Sequence, residues 1–156
     1  MTEPGGIRMK KKTAFLLALS ALTASLASCG EVSYKDGSYE GRSADFINED
    51  GNDEAGNGYG VVKLKIEDGK ITECDYKTYE LDGTLKDEDY GKENGEIKNK
   101  DFYQKAQRAR SACDNYAKQL VTKGNIDEVD SVSGATVNYN EFKEAVAEAL
   151  KQAEEK

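Results

Sequence analysis

The clearest pattern in the chain is an alternation of apolar and charged residues in the stretch VKLKIE, Val62–Glu67. A period of two predicts a β-strand with one buried face. The pair Asp68-Gly69 follows and is typical of a two-residue hairpin turn, so Ile71 begins a returning strand. The apolar positions then change phase, which predicts a β-bulge near residues 72–73. An earlier turn leading into a short strand is predicted at Lys35–Gly41.

Two amphipathic helices are predicted in the C-terminal third of the chain, where apolar residues recur at intervals of three and four. Asp101, with Gln104 three residues later, is the predicted start of the first helix, and Gly124 is its predicted end. The predicted core faces consist of Phe102, Ala106, Ala109, Cys113, Tyr116, Ala117 and Leu120 in the first helix, and of Phe142, Ala145, Val146, Ala149, Leu150 and Ala153 in the second.

The order of these elements predicts the fold class. Strands come first and helices later, which indicates a single α+β domain rather than alternating βαβ units. We therefore expect an antiparallel β-sheet with hairpins, packed against two C-terminal amphipathic helices. Both helical stripes are interpreted as core faces rather than as surfaces for a partner.

Two polar segments, residues 47–60 and 85–99, are predicted to be loops because they are rich in Gly, Asn, Asp and Glu. The first also has oxygen-bearing side chains at alternate positions from Asp50, as a calcium loop does. However, Ala55 and Val61 stand where an EF-hand requires glycine and glutamate. We interpret this segment as a solvated loop.

The charge of the chain excludes some partners. Its formal net charge is −8 over 156 residues. Residues 1–29 contain four basic residues and one acid, so the rest of the chain carries about −11. A body this acidic repels nucleic acid phosphates and anionic lipid headgroups, so neither is expected to bind it directly.

The composition also excludes several kinds of catalytic and metal site. The chain has no histidine, which removes Ser-His-Asp and Cys-His nucleophile systems and histidine-ligated zinc. Its three cysteines, Cys29, Cys74 and Cys113, lack C-x-x-C spacing, so no metal site is expected. Cys74 and Cys113 could form a disulfide, or could be two small buried side chains on a strand and a helix.

The N-terminus has the layout of a secretory signal. Three lysines follow Met9, and an apolar stretch of 15 residues runs from Thr13 to Ala27, shorter than the about 20 residues that a spanning helix needs. Its end, Leu-Ala-Ser-Cys at residues 26–29, resembles a bacterial lipobox, which implies that Cys29 is lipidated and anchors the chain. The alternative is a plain signal peptide with an incidental cysteine.

This interpretation divides the chain into three parts. Residues 1–29 are the predicted lipoprotein signal peptide, 30–35 a short tether and 36–156 the functional domain. That domain would then lie outside the cytoplasmic membrane, attached through its lipid anchor only.

The stretch DSVSGATVNYNEF, Asp130–Phe142, joins a small flexible loop to the last helix. Asn138–Glu141 predicts a capping box, so we expect the helix to begin near Tyr139, with Thr136 just before its positive end. Gly134 can adopt backbone angles closed to other residues. An anion near Thr136 would meet free N–H groups and a favourable dipole, although most helix N-termini bind only water.

The segment Asp130–Thr136 matches the motif D-x-x-S/T-G-A-T and so resembles the FMN-binding domain family. That domain occurs in the sodium-translocating NADH:quinone reductase, in the Rnf complex and in bacterial lipoproteins of extracellular electron transfer. The resemblance implies that a flavin transferase moves FMN from FAD onto Thr136, leaving a phosphoester. It also implies that the remaining residues of the recognised, cofactor-binding motif are Asp130, Ser133, Gly134 and Ala135.

Three further segments resemble the lipoprotein branch of the family, namely residues 36–41, 58–72 and 87–91. The resemblance therefore implies a membrane-anchored flavoprotein, an electron carrier rather than a stand-alone enzyme. Its partners would be the flavin transferase, a membrane quinone or NADH dehydrogenase donor, and an extracellular acceptor. Tyr59 and Tyr90 are candidates to stack on the flavin ring, or are ordinary surface or core tyrosines.

Two alternatives to the electron carrier stay open. The flavin could belong to a component of a reductase with one defined substrate. The chain could also be a cofactor-free surface lipoprotein or ligand-binding module. With one acceptor motif and no spanning helix in its sequence, it is not expected to be a core component of either the quinone reductase or the Rnf complex.

Overall fold

The computed structural model describes residues 34–49 and 56–154. The predicted signal peptide, the Cys29 anchor and most of the predicted tether lie outside the described residues. The calcium-like positions from Asp50 onward also lie outside them. The fold below is that of the described part.

Three strands form one antiparallel sheet in the order β1-β2-β3. They are β1, Gly37–Arg42, β2, Tyr59–Glu67, and β3, Lys70–Tyr79. Asp68 and Gly69 join β2 to β3 with φ angles of 51° and 70°. Two successive positive φ angles are those of a type I′ turn, whose twist suits a tight hairpin. The short first strand and the predicted hairpin are confirmed.

The predicted bulge is also confirmed. Lys65 pairs with Glu73, whereas the next residue, Ile66, pairs with Ile71, so Thr72 is the extra residue on β3. The Thr72 hydroxyl donates to the Lys65 carbonyl at 3.3 Å. The bulge restores Ile71 to the buried face of the sheet despite its change of phase.

The first helix, α1, spans Lys100–Lys123 and ends as predicted at Gly124, which has a φ of 72°. Its predicted start at Asp101 is wrong. Asn99 is the N-cap, and its side-chain oxygen accepts from the Phe102 N–H at 3.0 Å. Asn99 is extended and precedes the first turn, whereas Asp101 already lies within that turn.

The last helix, α2, spans Thr136–Ala153 and follows a short 3-10 turn at Ile126–Glu128. The predicted start near Tyr139 is wrong by three residues. The Ala135 N–H donates to the Val132 carbonyl at 3.0 Å, closing a turn that leads directly into the helix.

The predicted capping box is absent because neither of its side chains faces the helix start. The Asn138 side-chain amide donates to the Cys113 sulfur at 3.5 Å. Glu141 is buried, only 4% exposed. The helix therefore extends through both positions, and its first residue is Thr136.

One face of the sheet packs against both helices, with α2 over β1 and β2 and α1 over β3. Gly41 permits the closest approach, because a Cβ there would lie 1.9 Å from the Ala145 carbonyl oxygen. The predicted α+β single domain is confirmed. None of the described helices is long and apolar enough to span a membrane.

The predicted core faces match the buried faces with small differences. Phe102, Ala109 and Leu150 are only partly buried, and Ala112 is a buried residue that the pattern did not include. Residues 85–99 contain turns and isolated bridges, as their composition predicted.

Cys74 and Cys113 are free thiols, half-buried on β3 and buried on α1. This arrangement fits the second of the two interpretations made from the sequence. Burial raises the pKa of Cys74 to about 12 and that of Cys113 to about 11. Both thiols are therefore protonated near neutral pH and are poor nucleophiles there.

Candidate functional site

A cavity of about 360 Å³ opens at the N-terminus of α2. Its walls come from the SGAT loop, from α1, from the loop after β3 and from the segment around Phe46. Gly134, Ala135 and Thr136 form one side of it. Cavities of about 300–1,000 Å³ are typical of sites for small molecules and cofactors.

The SGAT loop is held by Tyr116, a fully buried residue of α1. The Tyr116 hydroxyl accepts from the Val132 N–H at 3.0 Å and donates to the Ala135 carbonyl at 3.2 Å. One phenol therefore clamps both ends of the turn that contains Gly134. Sequence reasoning placed Tyr116 in the core but missed this role, although a buried tyrosine requires a partner for its hydroxyl.

Gly134 supplies the backbone angle of that turn. Its φ is 81°, as the third position of a type II turn requires, and the turn spans Val132–Ala135. Ala135 is 2% exposed, so its small side chain fills the space below the loop. Gly134 and Ala135 therefore shape the turn, and their role as residues of the recognised motif stays a prediction.

Asp130 and Ser133 do not line the cavity. The Asp130 carboxylate is largely exposed and pairs with Lys123 at 2.8 Å. Its backbone N–H donates to the Gln119 side chain at 2.9 Å, which fixes the loop to the end of α1. Ser133 is exposed in the turn. The structure thus brings Gly134, Ala135 and Thr136 to the cavity and leaves the other two motif residues on the surface beside it.

Thr136 is the exposed first residue of α2, and the N-terminus of this helix has no side-chain cap. Ala135 occupies the N-cap position and supplies no side-chain hydrogen bond, and no acidic residue lies in the first turn. The free N–H groups of a first helical turn carry partial positive charge. This end of the helix is therefore open to an anion.

Three cations line the same cavity, whereas no carboxylate does so among its described residues. Lys105 and Arg110 come from α1, and Lys86 comes from the loop after β3. Arg110 is oriented by its Nε, which donates to the Gln107 side chain at 3.1 Å. The cavity is thus locally positive in a chain whose formal charge is −8. An anionic ligand would be attracted to this part of the surface.

Aromatic side chains supply the apolar part of the wall. Phe46, Tyr90 and Phe102 all line the cavity, and the Tyr90 and Phe102 rings meet edge-on with centroids 6.3 Å apart. Tyr59, the other predicted stacking residue, lies outside the described lining. Its ring stacks on Tyr79 at 5.5 Å instead.

A buried carboxyl group of α2 interacts with the cavity residue Lys86 and was missed by sequence reasoning. Glu141 is 4% exposed, and its Oε1 has no hydrogen-bond partner among the described residues. Burial raises its pKa to about 7, although Lys86 opposes that shift. The available signal was its position four residues before Ala145, on the core face of α2.

The described residues contain no cluster of side chains able to hold a metal ion.

Comparisons with known proteins identify the domain. A family model of the FMN-binding domain matches residues 55–151. The chain belongs to the FMN-binding domain family. No curated protein matches it.

The FMN-binding domain also resembles two solved structures. The crystal structure of CPE2226 protein from Clostridium perfringens is 25% identical, with a TM-score of 0.54, over 77% of this chain and 88% of that one. A solution NMR structure of a Clostridium thermocellum protein is 23% identical, with a TM-score of 0.39, over 76% of this chain and 91% of that one.

The residues of this FMN-binding domain suit the chemistry of FMN. The flat ring of the cofactor requires apolar and aromatic contacts, which the Phe46, Tyr90 and Phe102 wall offers. Its phosphate requires positive charge, which the open end of α2, Lys105 and Arg110 offer. The cavity therefore fits both halves of the molecule.

Proposed function

We propose that this chain is a lipid-anchored extracytoplasmic flavoprotein that carries FMN covalently on Thr136 and transfers electrons. The observation that supports it most directly is the position of Thr136. Its hydroxyl belongs to the first residue of an uncapped helix and lies at the edge of a cationic, aromatic-lined cavity. The phosphate of an attached FMN would thus lie where positive charge is available, and its flavin ring would extend into the cavity.

The attachment reaction is a phosphoryl transfer from FAD. The Thr136 Oγ–phosphorus bond forms, the bond between the two FAD phosphates breaks, AMP leaves and the hydroxyl proton is released. The phosphodiester that remains keeps one negative charge. The free N–H groups of α2 would stabilise that charge, and Lys105 and Arg110 would add to the stabilisation.

The protein positions the cofactor and tunes its electrostatics, and the flavin supplies the redox chemistry. A flavin ring takes up two electrons and, near neutral pH, one proton, so reduction adds a negative charge to it. The aromatic wall would hold the ring through apolar contact. Covalent attachment suits a protein outside the cell, where a free cofactor would diffuse away.

The anchor and the partners complete the proposal. The lipobox-like end of the N-terminal segment supports lipidation at Cys29. The strongly acidic body would not bind anionic lipid by itself, so acyl chains would hold it at the membrane. A flavin transferase would load Thr136, a membrane quinone or NADH dehydrogenase would supply electrons, and an extracellular acceptor would receive them.

Intact mass tests the covalent flavin. The full chain is produced with a flavin transferase and FAD, and the same is done for Thr136→Ala and for Thr122→Ala. Thr122 is an exposed threonine on α1 and provides a matched control. We expect a gain equal to FMN minus water in the wild type and the control, and none in Thr136→Ala.

If the wild type gains no mass under conditions that label another family member, the covalent carrier is wrong. A cofactor-free lipoprotein would then account better for the sequence.

A further inference from the structure

Lys86 is an unusual residue because its charge is buried. It is only 8% exposed and lines the cavity. Its ammonium donates to the Gly56 carbonyl at 3.2 Å and lies 5.1 Å from the centre of the Tyr90 ring. No carboxylate of the described chain lies within ion-pair distance. A buried ammonium without a close counter-ion is costly, so it requires a reason.

The backbone leaves space for this side chain. A Cβ at Gly58 would come 2.0 Å from the Tyr79 carbonyl oxygen and 2.8 Å from the Lys86 ammonium, and Gly58 has a φ of 151° that favours glycine. The strand end thus accommodates the lysine without contributing a charge to it.

Burial lowers the pKa of Lys86, and Glu141 is the carboxylate that opposes this shift most strongly, ahead of Glu80. Glu141 is itself incompletely satisfied, because its Oε1 has no hydrogen-bond partner among the described residues. The titratable and charged groups that act on it are Lys86 from the loop, Tyr76 from β3, Cys113 from α1 and Glu144 from its own helix. Burial raises the pKa values of Tyr76 and Cys113, so both are neutral near pH 7. Lys86 and Glu144 are therefore the charges to which Glu141 responds.

We propose that Lys86 sets the electron affinity of the flavin in this cavity and that Glu141 is the buried counter-charge that moderates it. This inference rests on the proposed function. Reduction adds negative charge to the flavin ring, and a buried cation in the same cavity favours the reduced form. Because this region is shielded from water, the interaction is screened less than one between exposed charges.

The two residues have opposite effects on the flavin. Removing the Lys86 charge removes a favourable interaction with the reduced ring and lowers the midpoint potential. Removing the Glu141 charge leaves Lys86 unopposed and raises it. A general loosening of the cavity would not move the potential in opposite directions, so the pair of variants separates electrostatics from packing.

The test is a redox titration of the flavinylated full chain, followed by flavin absorbance, with dithionite as the reductant. Lys86→Met is compared with Lys143→Met, which removes a lysine 4.7 Å from the Tyr139 ring on the exposed side of α2 and outside the cavity lining. We expect Lys86→Met to lower the equilibrium constant for reduction of the flavin about tenfold, which is a fall of about 30 mV in the two-electron midpoint potential. Lys143→Met should change it less than threefold.

Glu141→Gln supplies the second arm, which is informative even if Lys86→Met does not fold. Its potential should lie above that of the wild type at pH 8, where Glu141 is ionised. The two should converge at pH 5.5, where Glu141 is protonated in the wild type. Equal shifts for Lys86→Met and Lys143→Met, or shifts of the same sign for Lys86→Met and Glu141→Gln, would overturn the inference.

The intact mass of the chain distinguishes a failure of the proposed function from a failure of this inference. If Thr136 carries no FMN, the same variants are titrated with riboflavin, which needs no phosphoester. Lys86→Met should then weaken binding of reduced riboflavin about tenfold more than binding of the oxidised form. No riboflavin binding, or an equal loss for both forms, would overturn the role of Lys86.

Discussion

The two helices of this domain begin in opposite ways. The start of α1 is capped by neighbouring residues, because the Asn99 side chain accepts from the Phe102 N–H and Asp101 lies in the first turn. The start of α2 has Ala135 at the cap position, no acid in the first turn and Thr136 exposed beside a cationic cavity. The first arrangement stabilises the helix, whereas the second leaves its positive end for a ligand.

The difference extends to the carboxylates. Asp101 of α1 is exposed and lies where the helix dipole favours it. Glu141 of α2 is buried, and one of its oxygens has no partner among the described residues. The α2 end therefore carries features that cost stability, and such features are common at functional sites. Substitutions at the two helix starts should separate stability from cofactor loading.

The largest expected effect on stability is at Glu141. Its folded pKa of about 7 lies above its ordinary value of 4.5. The folded state therefore holds the proton more tightly, and its stability falls as pH rises from about 4.5 to 7. The shift corresponds to about 3 kcal/mol at pH 8. Glu141→Gln should remove this penalty, so urea unfolding should show it more stable than the wild type at pH 8.

The pH dependence supplies the control for that prediction. At pH 4 the carboxyl of the wild type is protonated, so Glu141→Gln and the wild type should be about equally stable. Glu148→Gln, at an exposed position of the same helix, should follow the wild type at every pH. An equal difference between Glu141→Gln and the wild type at pH 4 and pH 8 would contradict the burial of an ionisable carboxyl.

Much of this fold was predictable from local pattern. The alternation in β2, the Asp-Gly turn and the phase change in β3 specify the hairpin and its bulge, since each depends on neighbouring residues. The amphipathic stripes likewise identify both helices. These signals are strong because side-chain periodicity follows directly from strand and helix geometry.

The helix starts were less predictable because they depend on distant contacts. Asn138 matches a cap in sequence, but in the fold its amide contacts Cys113 of α1. Tyr116, twenty residues before Thr136 in the chain, fixes the turn that starts α2. The motif at Asp130–Thr136 could be identified from sequence by resemblance. The cationic cavity beside it could not, because its lysines and arginine come from separate parts of the chain.

Two glycines with similar backbone angles flank the two helices, and their replacement should have an intermediate effect on stability. Gly134 has a φ of 81° before α2, and Gly124 has a φ of 72° after α1. A Cβ would meet nothing within 4 Å at either position. Gly134→Ala and Gly124→Ala should therefore each lose about 1–2 kcal/mol through backbone strain alone. Chemical denaturation measures both losses.

Only one of these glycines belongs to the proposed site. Gly134→Ala should also slow FMN incorporation, measured by mass at fixed times, because the turn that presents Thr136 is displaced. Gly124→Ala should load at the wild-type rate despite its similar stability. Equal rates of FMN incorporation for the two variants would show that the geometry of the SGAT turn does not affect loading.

The smallest effect is expected at the closed helix start. Asn99→Ala removes the hydrogen bond from the Phe102 N–H, which is 3.0 Å long and exposed. Loss of an N-cap costs about 1 kcal/mol, so the urea midpoint should fall slightly. Loading of Thr136 with FMN should be unchanged, because the cap at Asn99 stabilises α1 without facing the ligand. A loss of loading larger than the loss of stability would show that the two helix starts are coupled, and their division into a stabilising end and a binding end would be wrong.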